Sequence, residues 1–267
     1  MNERVELWEN AMFLIERRKK IIEFLNKQHK VTVRELAGLL KVTEVTLRND
    51  LKMLEQEGLI QRVHGGAVLI EQENPETSFA SRTEENKEQK ISIARKAVEM
   101  VRSGQCILLD GSTTILEFAK LLKTLPLRLT VATNGIYTAL ELSENPQITV
   151  ILIGGVLRVG STTIEGTLGI EVLDKLNFDM MFTSNDGFTI DDGLMDFNVY
   201  EADLKRSMAS SAPVLVALMD SSKFGKSSSA SFASTQQIDH LITDDLAAEE
   251  TLEPLKKLNI DVVIASN

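Results

Sequence analysis

Apolar residues recur at helical spacing in three successive segments between residues 17 and 56. The spacing predicts a first helix over 17–28, a second that opens at Thr32 and a third that opens at Thr43. The positions predicted to face inward are Ile21, Ile22, Phe24 and Leu25, then Leu36, Ala37, Leu39 and Leu40, then Val45, Leu47, Leu51 and Leu54. The first part of the chain is therefore predicted to be a small helical domain.

Capping residues and a glycine-rich ribbon complete this domain. Thr32 and Glu35 have the spacing of a capping box, in which each side chain bonds the backbone N–H of the other residue. Thr43 is the expected cap of the third helix. Two strands joined by His64-Gly65-Gly66 follow, over Ile60–Val63 and Ala67–Ile70. This order indicates a winged helix-turn-helix, a fold that places its recognition helix in the DNA major groove.

From residue 104 onward, short apolar runs alternate with helical segments. The runs are Cys106–Leu109, Leu129–Ala132, Thr149–Ile153, Met180–Thr183, Val214–Leu218, His240–Thr243 and Ile260–Ile264. Most are continuously apolar, which is typical of strands buried on both faces of a parallel sheet. The sequence therefore predicts an α/β fold, in which helices cover an open, mostly parallel sheet.

These patterns divide the chain into two domains. The helix-turn-helix domain is predicted over 1–70, with its core at 17–70, and the α/β domain over 91–267. Residues 71–90 are polar and contain Pro75, so they are predicted to be a linker. A helical pattern begins near Thr83 and leads into the second domain.

Charge is distributed unevenly between the two domains. The chain of 267 residues has a net charge of −10. Residues 17–69 hold 11 Lys or Arg against 6 Asp or Glu, whereas residues 70–267 hold 17 against 29. A basic segment that coincides with the helix-turn-helix places positive potential where DNA phosphates would lie.

Composition limits the remaining classes of protein. Cys106 is the single cysteine, so no internal disulfide can form and a reducing, cytoplasmic location is expected. No apolar run approaches the roughly 20 residues of a membrane span, so no membrane association is expected. No cluster of residues has metal-ligand spacing. We expect neither a metal nor a cofactor.

The outward positions of the third helix carry side chains that can recognise bases. Arg48 can pair bidentately with guanine and Asn49 with adenine. The residues predicted to contact DNA are Arg17, Arg18, Thr32, Thr43, Glu44, Thr46, Arg48, Asn49, Lys52, Arg62, His64 and Gly65. The alternative for each polar residue is a solvated face. The surrounding motif favours base contact for Arg48 and Asn49, whereas both interpretations stay open for His64 and Lys52 because residue type does not specify phosphate contacts.

Small polar residues gather where the predicted strands end. Asp110-Gly-Ser-Thr-Thr114 follows the first strand and opens a helix, so its hydroxyls and free amides suit an anion such as phosphate. Similar clusters follow later strands, at Thr133-Asn134-Gly135, Gly154-Gly155, Asn185-Asp186-Gly187 and Asp220-Ser221-Ser222-Lys223. Each cluster alone is about as consistent with a capped helix start as with a ligand loop. Because ligands of open α/β sheets bind beyond the strand ends, the clusters together predict a binding site there.

These motifs resemble one known family. Residues 42–67, V-T-x-x-T-x-R-N-D-L-x-x-L-E-x-x-G-L-I-x-R-V-H-G-G-A, are similar to the N-terminal signature of the DeoR family of bacterial transcriptional regulators. D-G-S-T-T, T-N-G, E-A-x-L-K-R-x-M over 201–208 and D-S-S-K-F over 220–224 are similar to its C-terminal sensor, which resembles ribose-phosphate isomerases in fold. The family often has two arginines where Arg48-Asn49 stands. Its members begin near the position of Met12, so residues 1–11 are expected to be an extension or a misassigned start.

The resemblance implies that a phosphorylated sugar or polyol binds the second domain as an effector. The residues predicted to bind it are Asp110, Gly111, Ser112, Thr113, Thr114, Asn134, Gly154, Gly155, Asp186, Glu201, Lys205 and Lys223. Glu201 and Lys205 are expected close to the site, with a salt-bridged helix face as the open alternative. Asn185-Asp186 departs from the glycine-containing pattern of many relatives.

These expectations combine into an effector-controlled repressor of a carbohydrate uptake or catabolism operon. A homo-oligomer, either dimer or tetramer, would present paired heads to double-stranded operator DNA, and the effector would release them. The alternative is a sugar-phosphate isomerase-type enzyme that carries a DNA-binding domain, with Asp110, Asp186 and Glu201 as candidate bases. The recognition helix favours the regulator, so we do not expect an enzyme.

Overall fold

The computed structural model describes residues 16–25, 30–56, 59–63, 65–69, 79–158 and 160–266. These residues form two compact units, Met1–Asn74 and Pro75–Asn267. His64 and Ile70, both assigned to the β-ribbon by the sequence, lie outside the described residues, as does the end of the first helix at 26–28.

The first unit contains three helices and a three-stranded antiparallel sheet. Its elements are α1 at residues 16–25, β1 Lys30–Thr32, α2 Val33–Leu40, α3 Glu44–Gln56, β2 Ile60–Val63 and β3 Gly66–Leu69. Strand β3 lies between β1 and β2. Residues at the centre of the core include Ile21, Leu25, Leu36, Leu47, Leu51, Leu54 and Ile60. The predicted winged helix-turn-helix is confirmed.

The structure differs from the sequence prediction in two ways: strand β1 was not predicted, and two apolar residues predicted to be buried are exposed. Strand β1 can pair with β3 because residue 66 is glycine. A Cβ at this position would lie 2.1 Å from the Val31 carbonyl oxygen. Val45 is 67% exposed and Leu39 is 53% exposed, although their spacing predicts both to face inward. Val45 is two positions from Leu47, and two positions turn a helix by about 200°. When Leu47 faces the core, Val45 therefore faces away from it.

The second unit is an α/β domain built on a seven-stranded sheet. Its elements are α4 Phe79–Glu84, α5 Lys87–Val98, β4 Cys106–Leu109, α6 Thr113–Leu122, β5 Leu129–Thr133, α7 Ile136–Ser143, β6 Ile148–Leu152, β7 Met180–Thr183, β8 Gly187–Thr189, β9 Gly193–Asp196, α8 Val199–Ser211, β10 Leu215–Leu218, β11 Ala230–Ala233, β12 His240–Asp244, α9 Glu249–Lys257 and β13 Asp261–Ala265. The strand order is β13-β12-β10-β7-β4-β5-β6, and every pair is parallel. None of the helices in the described ranges has the length and apolar character that crossing a bilayer requires.

Both faces of this sheet are buried. Leu108 belongs to one apolar cluster with Met208 of α8 and Leu255 of α9, whereas Ile107 belongs to another with Phe118 of α6. Successive residues of a strand point to opposite faces, so helices cover the sheet on both sides. The predicted open parallel α/β sheet is confirmed.

Strands β8, β9 and β11 form a second, antiparallel sheet that the sequence does not predict. Its order is β11-β9-β8, and its strands have only 3, 4 and 4 residues for β8, β9 and β11. Such short strands show no clear alternation of polar and apolar residues. The sheet follows β7 directly in the chain, and β9 ends at Asp196, next to the strand ends of the large sheet.

Residues 79–90, which we call the strap, are helical although their polar composition predicts a linker. Asn86 lies between the end of α4 at Glu84 and the start of α5 at Lys87, and its φ of 48° is left-handed. The Asn86 side-chain amide donates to Asp220 Oδ1 at 3.1 Å and to Ser222 Oγ at 3.2 Å. These bonds hold the helix junction on the loop after β10. The predicted linker over 71–90 therefore extends too far into the second unit.

Candidate functional site

The outward face of α3 carries exposed polar side chains at the predicted positions. Arg48 is 61% exposed, and its Nη2 lies 2.8 Å from Oε2 of Glu44 one turn earlier. Asn49 and Lys52 are also exposed. An exposed ion pair of this spacing contributes only about 0.3–0.5 kcal/mol. The Arg48 guanidinium can therefore leave Glu44 and bond a base edge at a cost of only a few tenths of a kcal/mol.

The threonine hydroxyls predicted to contact DNA cap the helices. Thr32 Oγ1 accepts from the Glu35 N–H at 3.2 Å and donates to Glu35 Oε2 at 2.7 Å, and the predicted capping box is confirmed. Thr43 Oγ1 accepts from the Thr46 N–H at 3.2 Å, and the two hydroxyls lie 2.9 Å apart. These bonds fix the starts of α2 and α3, a structural role that the threonines have independently of any contact with DNA.

Arg17 and Arg18, both predicted to contact DNA, are directed at Asp50 of α3. Arg17 donates through Nη2 to Asp50 Oδ1 at 3.1 Å and through Nε to Oδ2, and Arg18 Nε lies 4.0 Å from Oδ1. The hydrogen bond to Asp50 raises the pKa of Arg17. Asp50 is 3% exposed. Its spacing from Leu47 and Leu54 places it on the buried face of α3, a signal in the sequence that the DNA-contact interpretation overlooks.

The β-ribbon places one further predicted residue at the surface. Arg62 Nε on β2 lies 2.9 Å from Glu55 Oε2, and both side chains are exposed. Gly65 has a φ of 81° at the ribbon turn, a conformation that favours glycine. Arg62 is therefore held beside α3 by an exchangeable surface pair.

A cleft lies at the carboxyl ends of the strands in the second unit. The predicted effector residues that line it are Ser112, Thr113, Thr114, Asp186, Glu201, Lys205 and Lys223. The other lining residues are Arg82, Glu85, Lys90, Ser184, Asn185, Asp196 and Phe197. Its volume of about 30 Å³ is room for only one or two water molecules. The structure thus gathers most of the predicted polar clusters around a narrow site.

Residues of the strap are the main group that the sequence prediction omits. Arg82, Glu85 and Lys90 reach the cleft from residues assigned to the linker. The F-x-x-R spacing of Phe79 and Arg82 was the available signal, but alone it indicates only a loop anchor. In the structure, the Arg82 guanidinium lies 5.0 Å from the ring centre of Phe197, across the cleft wall.

The centre of the cleft is a buried lysine between two carboxylates. Lys205 is 1% exposed, and its Nζ lies 2.9 Å from both Asp110 Oδ2 and Asp196 Oδ2. It also donates to the Ser184 carbonyl oxygen at 2.8 Å. Burial alone would lower the pKa of Lys205, but the surrounding carboxylates raise it. Lys205 is therefore a buried ion-pair partner and remains charged.

Asp110 joins the ends of β4 and β7. It accepts from the Ser112 N–H at 2.9 Å, the Thr183 hydroxyl at 2.6 Å and the Ser184 N–H at 2.9 Å, in addition to Lys205. Burial would raise the pKa of Asp110, but Lys205 and these donors lower it. With both oxygens occupied, Asp110 organises the strand ends and does not line the cleft.

Glu201 and Asn185 supply polar groups of a different kind. Burial and the charge of Asp196 raise the pKa of Glu201 to about 8, so this carboxyl is mainly protonated at neutral pH. Thr163 donates to Glu201 Oε2 at 3.1 Å. Asn185 is 7% exposed, and its Oδ1 has no hydrogen-bond donor among the described residues. An acceptor of this kind suits a ligand hydroxyl or amide.

Lysine side chains also line the cleft. Lys90 is 4% exposed, and its Nζ donates to backbone carbonyls of the strap, to Glu85 at 2.7 Å and to Arg82. Burial lowers the pKa of Lys90 to about 8. No described carboxylate lies within ion-pairing distance of Lys223. Helix α6 begins beside these lysines, and its first amides suit an anion.

Several predicted effector residues lie in loop packing and not in the cleft. Asn134 is fully buried, and its Nδ2 donates to the Ile164 carbonyl oxygen at 3.0 Å. A Cβ on Gly111 would lie 2.2 Å from Thr163 Cγ2, and one on Gly155 would lie 2.6 Å from the Glu165 carbonyl oxygen. Gly154 itself is not crowded, but its backbone oxygen would lie 2.1 Å from a Cβ on Gly169. These residues let the loops approach the segment 163–169, whereas the sequence interpretation assigns their small size to a ligand.

A larger groove lies on the first unit, with a volume of about 550 Å³. Phe24, Leu40 and Val42 are among its lining residues, between α1 and the end of α2. It contains Arg17 but none of the polar clusters at strand ends. Cavity size alone therefore does not identify the effector site.

Comparisons with known proteins agree with this division into two units. A family model described as the DeoR-like helix-turn-helix domain matches residues 17–73, and one described as the DeoR C terminal sensor domain matches residues 85–245. The chain is 44% identical over 254 residues to the HTH-type transcriptional regulator GolR of Listeria innocua serovar 6a, covering 95% of this chain and 100% of that protein.

Two further comparisons reach less similar proteins. The putative aga operon transcriptional repressor of Escherichia coli O157:H7 is 35% identical over 251 residues, with 93% of each chain covered. Ribose 5-phosphate isomerase A of Methanocaldococcus jannaschii is 18% identical, with 52% of this chain and 55% of that chain covered and a TM-score of 0.39. A structural likeness of that degree carries no inference about activity.

Proposed function

The chain belongs to the DeoR family of transcriptional regulators, and from this premise we propose that it represses a carbohydrate uptake or catabolism operon in the cytoplasm. A phosphorylated sugar or polyol that binds the cleft of the second unit would release it from the operator. The sign of regulation draws support from relatives named as repressors, at 35% and 31% identity. A relative named L-fucose operon activator is 31% identical, so the sign needs its own test.

The observation that carries the effector proposal is the mixture of cationic and uncharged polar groups that line the cleft. Lys90, Lys223 and the start of α6 offer cationic and amide groups to a phosphate. Asn185 Oδ1 and the protonated Glu201 offer an acceptor and a donor to hydroxyl groups. A molecule that carries both a phosphate and hydroxyl groups is complementary to this mixture.

The DNA-binding part of the proposal depends on α3. Arg48 and Asn49 are exposed side by side and can reach base edges in the major groove. Residues 17–69, which hold 11 Lys or Arg against 6 Asp or Glu, would supply phosphate contacts. We propose that a homo-oligomer, dimer or tetramer, presents two or more such units to repeated or palindromic half-sites.

The cleft does not favour the enzyme alternative. Asp110 is fully engaged with Lys205 and three other donors. Asp186 accepts from Lys226 at 3.1 Å and from Ser228 at 2.8 Å. Two of the three candidate bases are therefore already committed to structural bonds, and the relatives are named as regulators.

The test selects genomic DNA fragments on the purified full chain and maps the bound sequence by footprinting. A panel of sugar and polyol phosphates is then added to the complex. We expect one or a few phosphorylated compounds to release the DNA, and deletion of the gene to raise transcription from the bound promoter. Retained binding across the whole panel would reject the inducer, and lower transcription after deletion would reject repression.

A further inference from the structure

The strap has an unusual position in the cleft. Residues 79–90 follow the segment 70–78, which leads from the DNA-binding unit, and they also supply Arg82 and Lys90 to the effector cleft. The other walls come from the strand ends of the large sheet, from the start of α6, from α8 and from the end of β9 in the small sheet. The strap is thus the wall of the cleft that is nearest in the chain to the DNA-binding unit.

The cleft is too small for the ligand that its chemistry suits. Its volume of about 30 Å³ holds one or two water molecules, and a phosphorylated sugar is several times larger. A ligand of that size would be admitted more readily if one wall moved. The strand ends are fixed by the buried group of Lys205, Asp110 and Asp196, so they are poor candidates for that movement.

The start of the strap is the least firmly packed wall. Helix α4 buries none of its six residues. Phe79 contacts Tyr137 with ring centres 5.3 Å apart, and Tyr137 is 48% exposed. The junction with α5 is held by two side-chain hydrogen bonds from Asn86. Segments with few buried apolar contacts open at lower free energy than the core of a domain.

Lys90 has a hydrogen-bond donor that an anion could accept. A lysine ammonium has three N–H donors, and backbone carbonyls of the strap accept two of them. The group is 4% exposed and forms no ion pair with a described carboxylate. A buried ammonium with hydrogen bonds to carbonyls but no counter-ion in direct contact is incompletely compensated, so a phosphate in the cleft would stabilise Lys90 and, through its carbonyl bonds, the fold of the strap.

A second observation also indicates a ligand in this cleft. Asn185 lies in the wall with 7% exposure, and its Oδ1 has no donor among the described residues. The ten-residue helix α6 begins in the same wall at Thr113. The cleft therefore combines a helix start with unsatisfied polar groups on two separate elements.

We propose that the strap opens to admit the effector and closes on its phosphate through Arg82 and Lys90, so that the bound ligand fixes residues 79–90. This rests on the proposed function, because it assumes a phosphorylated effector. It goes further by assigning two ligand contacts and the element that couples the effector site to the DNA-binding unit. Effector release of DNA then depends on the order of residues 79–90.

Hydrogen exchange on the full chain tests this directly. Amide exchange is measured with inorganic phosphate, with the phosphosugar that releases the operator, and with chloride at equal ionic strength. We expect at least tenfold slower exchange over 79–90 together with 112–116 when either phosphate compound is present. Protection at 112–116 without protection at 79–90 would overturn the proposed role of the strap and leave the proposed function intact. A phosphosugar that releases the operator without protecting either segment would place the effector site elsewhere.

Variants separate ligand contact from folding of the strap. Arg82→Gln and Lys90→Gln should weaken phosphate binding by about tenfold or more, since each removes a charge-assisted hydrogen bond. Arg82→Lys should restore part of the loss. Lys87→Gln is the matched control, because Lys87 is on the same strap, 42% exposed and paired with Glu84. Equal phosphate affinity in Arg82→Gln, Lys87→Gln and the unmodified chain would overturn the assigned contact even if Lys90→Gln failed to fold.

Discussion

The two units of this protein use charged side chains in opposite ways. On α3 of the first unit, Arg48 is 61% exposed and its pair with Glu44 is open to solvent. In the second unit, Lys205 is 1% exposed and lies between Asp110 and Asp196. Exposed pairs contribute little to stability and exchange readily, whereas a buried group cannot lose one member without leaving an uncompensated charge. The first arrangement suits contact with DNA, and the second fixes the strand ends beside the cleft.

The largest expected effect is the loss of the buried lysine. Lys205→Met leaves Asp110 and Asp196 without their shared partner, so the free energy of unfolding should fall by about 3–5 kcal/mol. Urea denaturation of the full chain measures the change. Lys226→Met is the matched control, because Lys226 is 50% exposed and pairs with Asp186, and it should change stability by less than about 1 kcal/mol. Equal effects of the two substitutions would contradict the distinction between buried and exposed pairs.

The next effect concerns the pH dependence of stability. The pKa of Glu201 is raised to about 8 by burial and by Asp196, so the folded state holds this proton more tightly than the unfolded state. The tighter binding of this proton stabilises the folded state fully below the ordinary Glu pKa of 4.5, and the stabilisation is lost as the pH rises towards 8. Stability relative to Glu201→Gln should therefore fall between pH 5 and pH 8, by at most ~1.4 kcal/mol per pH unit. Parallel pH profiles of the two proteins would refute the raised pKa.

A smaller effect in free energy is expected for the exposed arginine of α3. Arg48→Ala should weaken binding to the selected operator by about 1–3 kcal/mol and leave the free energy of unfolding within about 0.5 kcal/mol. Fluorescence anisotropy with labelled operator measures the first quantity. Arg102→Ala, at an exposed site in the second unit, is the control and should keep full affinity. Unchanged operator affinity in Arg48→Ala would remove its base contact from the account.

The smallest effect is expected for the partner of that arginine. Glu44→Gln removes the exposed pair with Arg48 and an acidic group from the first turn of α3. The free energy of unfolding should fall by only about 0.5 kcal/mol. Thermal unfolding of the two proteins side by side measures the difference. A loss several times larger would mean that this surface pair has a structural role comparable with that of Lys205.

Patterns of regular spacing were sufficient to predict both folds. The seven apolar runs correspond to the seven parallel strands within one or two residues at each end, because a buried parallel strand must be apolar along its whole length. The capping box at Thr32 was predicted for a similarly local reason. Strand β1 and the strands of the small antiparallel sheet are as short as several predicted strands, but they mix glycine and polar residues with apolar ones. They therefore show neither a continuous apolar run nor a clear alternation.

The roles of individual polar residues were harder to predict, because they depend on partners distant in the chain. Asp110 has the sequence context of a ligand loop, but Lys205, 95 positions later, occupies it. Gly111 looks like a residue that lets a ligand approach, yet the group that needs the space is Thr163. The strap has the composition of a linker, and only the loop at Asp220 and Ser222 shows why it folds. Local sequence contains none of these long-range contacts.

The central claim is that effector and operator bind two coupled sites, and reciprocity tests it most directly. The affinity of the full chain for the releasing phosphosugar is measured by calorimetry in the absence and in the presence of saturating operator DNA. If the sites are coupled, operator DNA must weaken phosphosugar binding by the same factor as the phosphosugar weakens operator binding, typically about 5- to 150-fold. Identical phosphosugar affinity with and without operator would contradict the account.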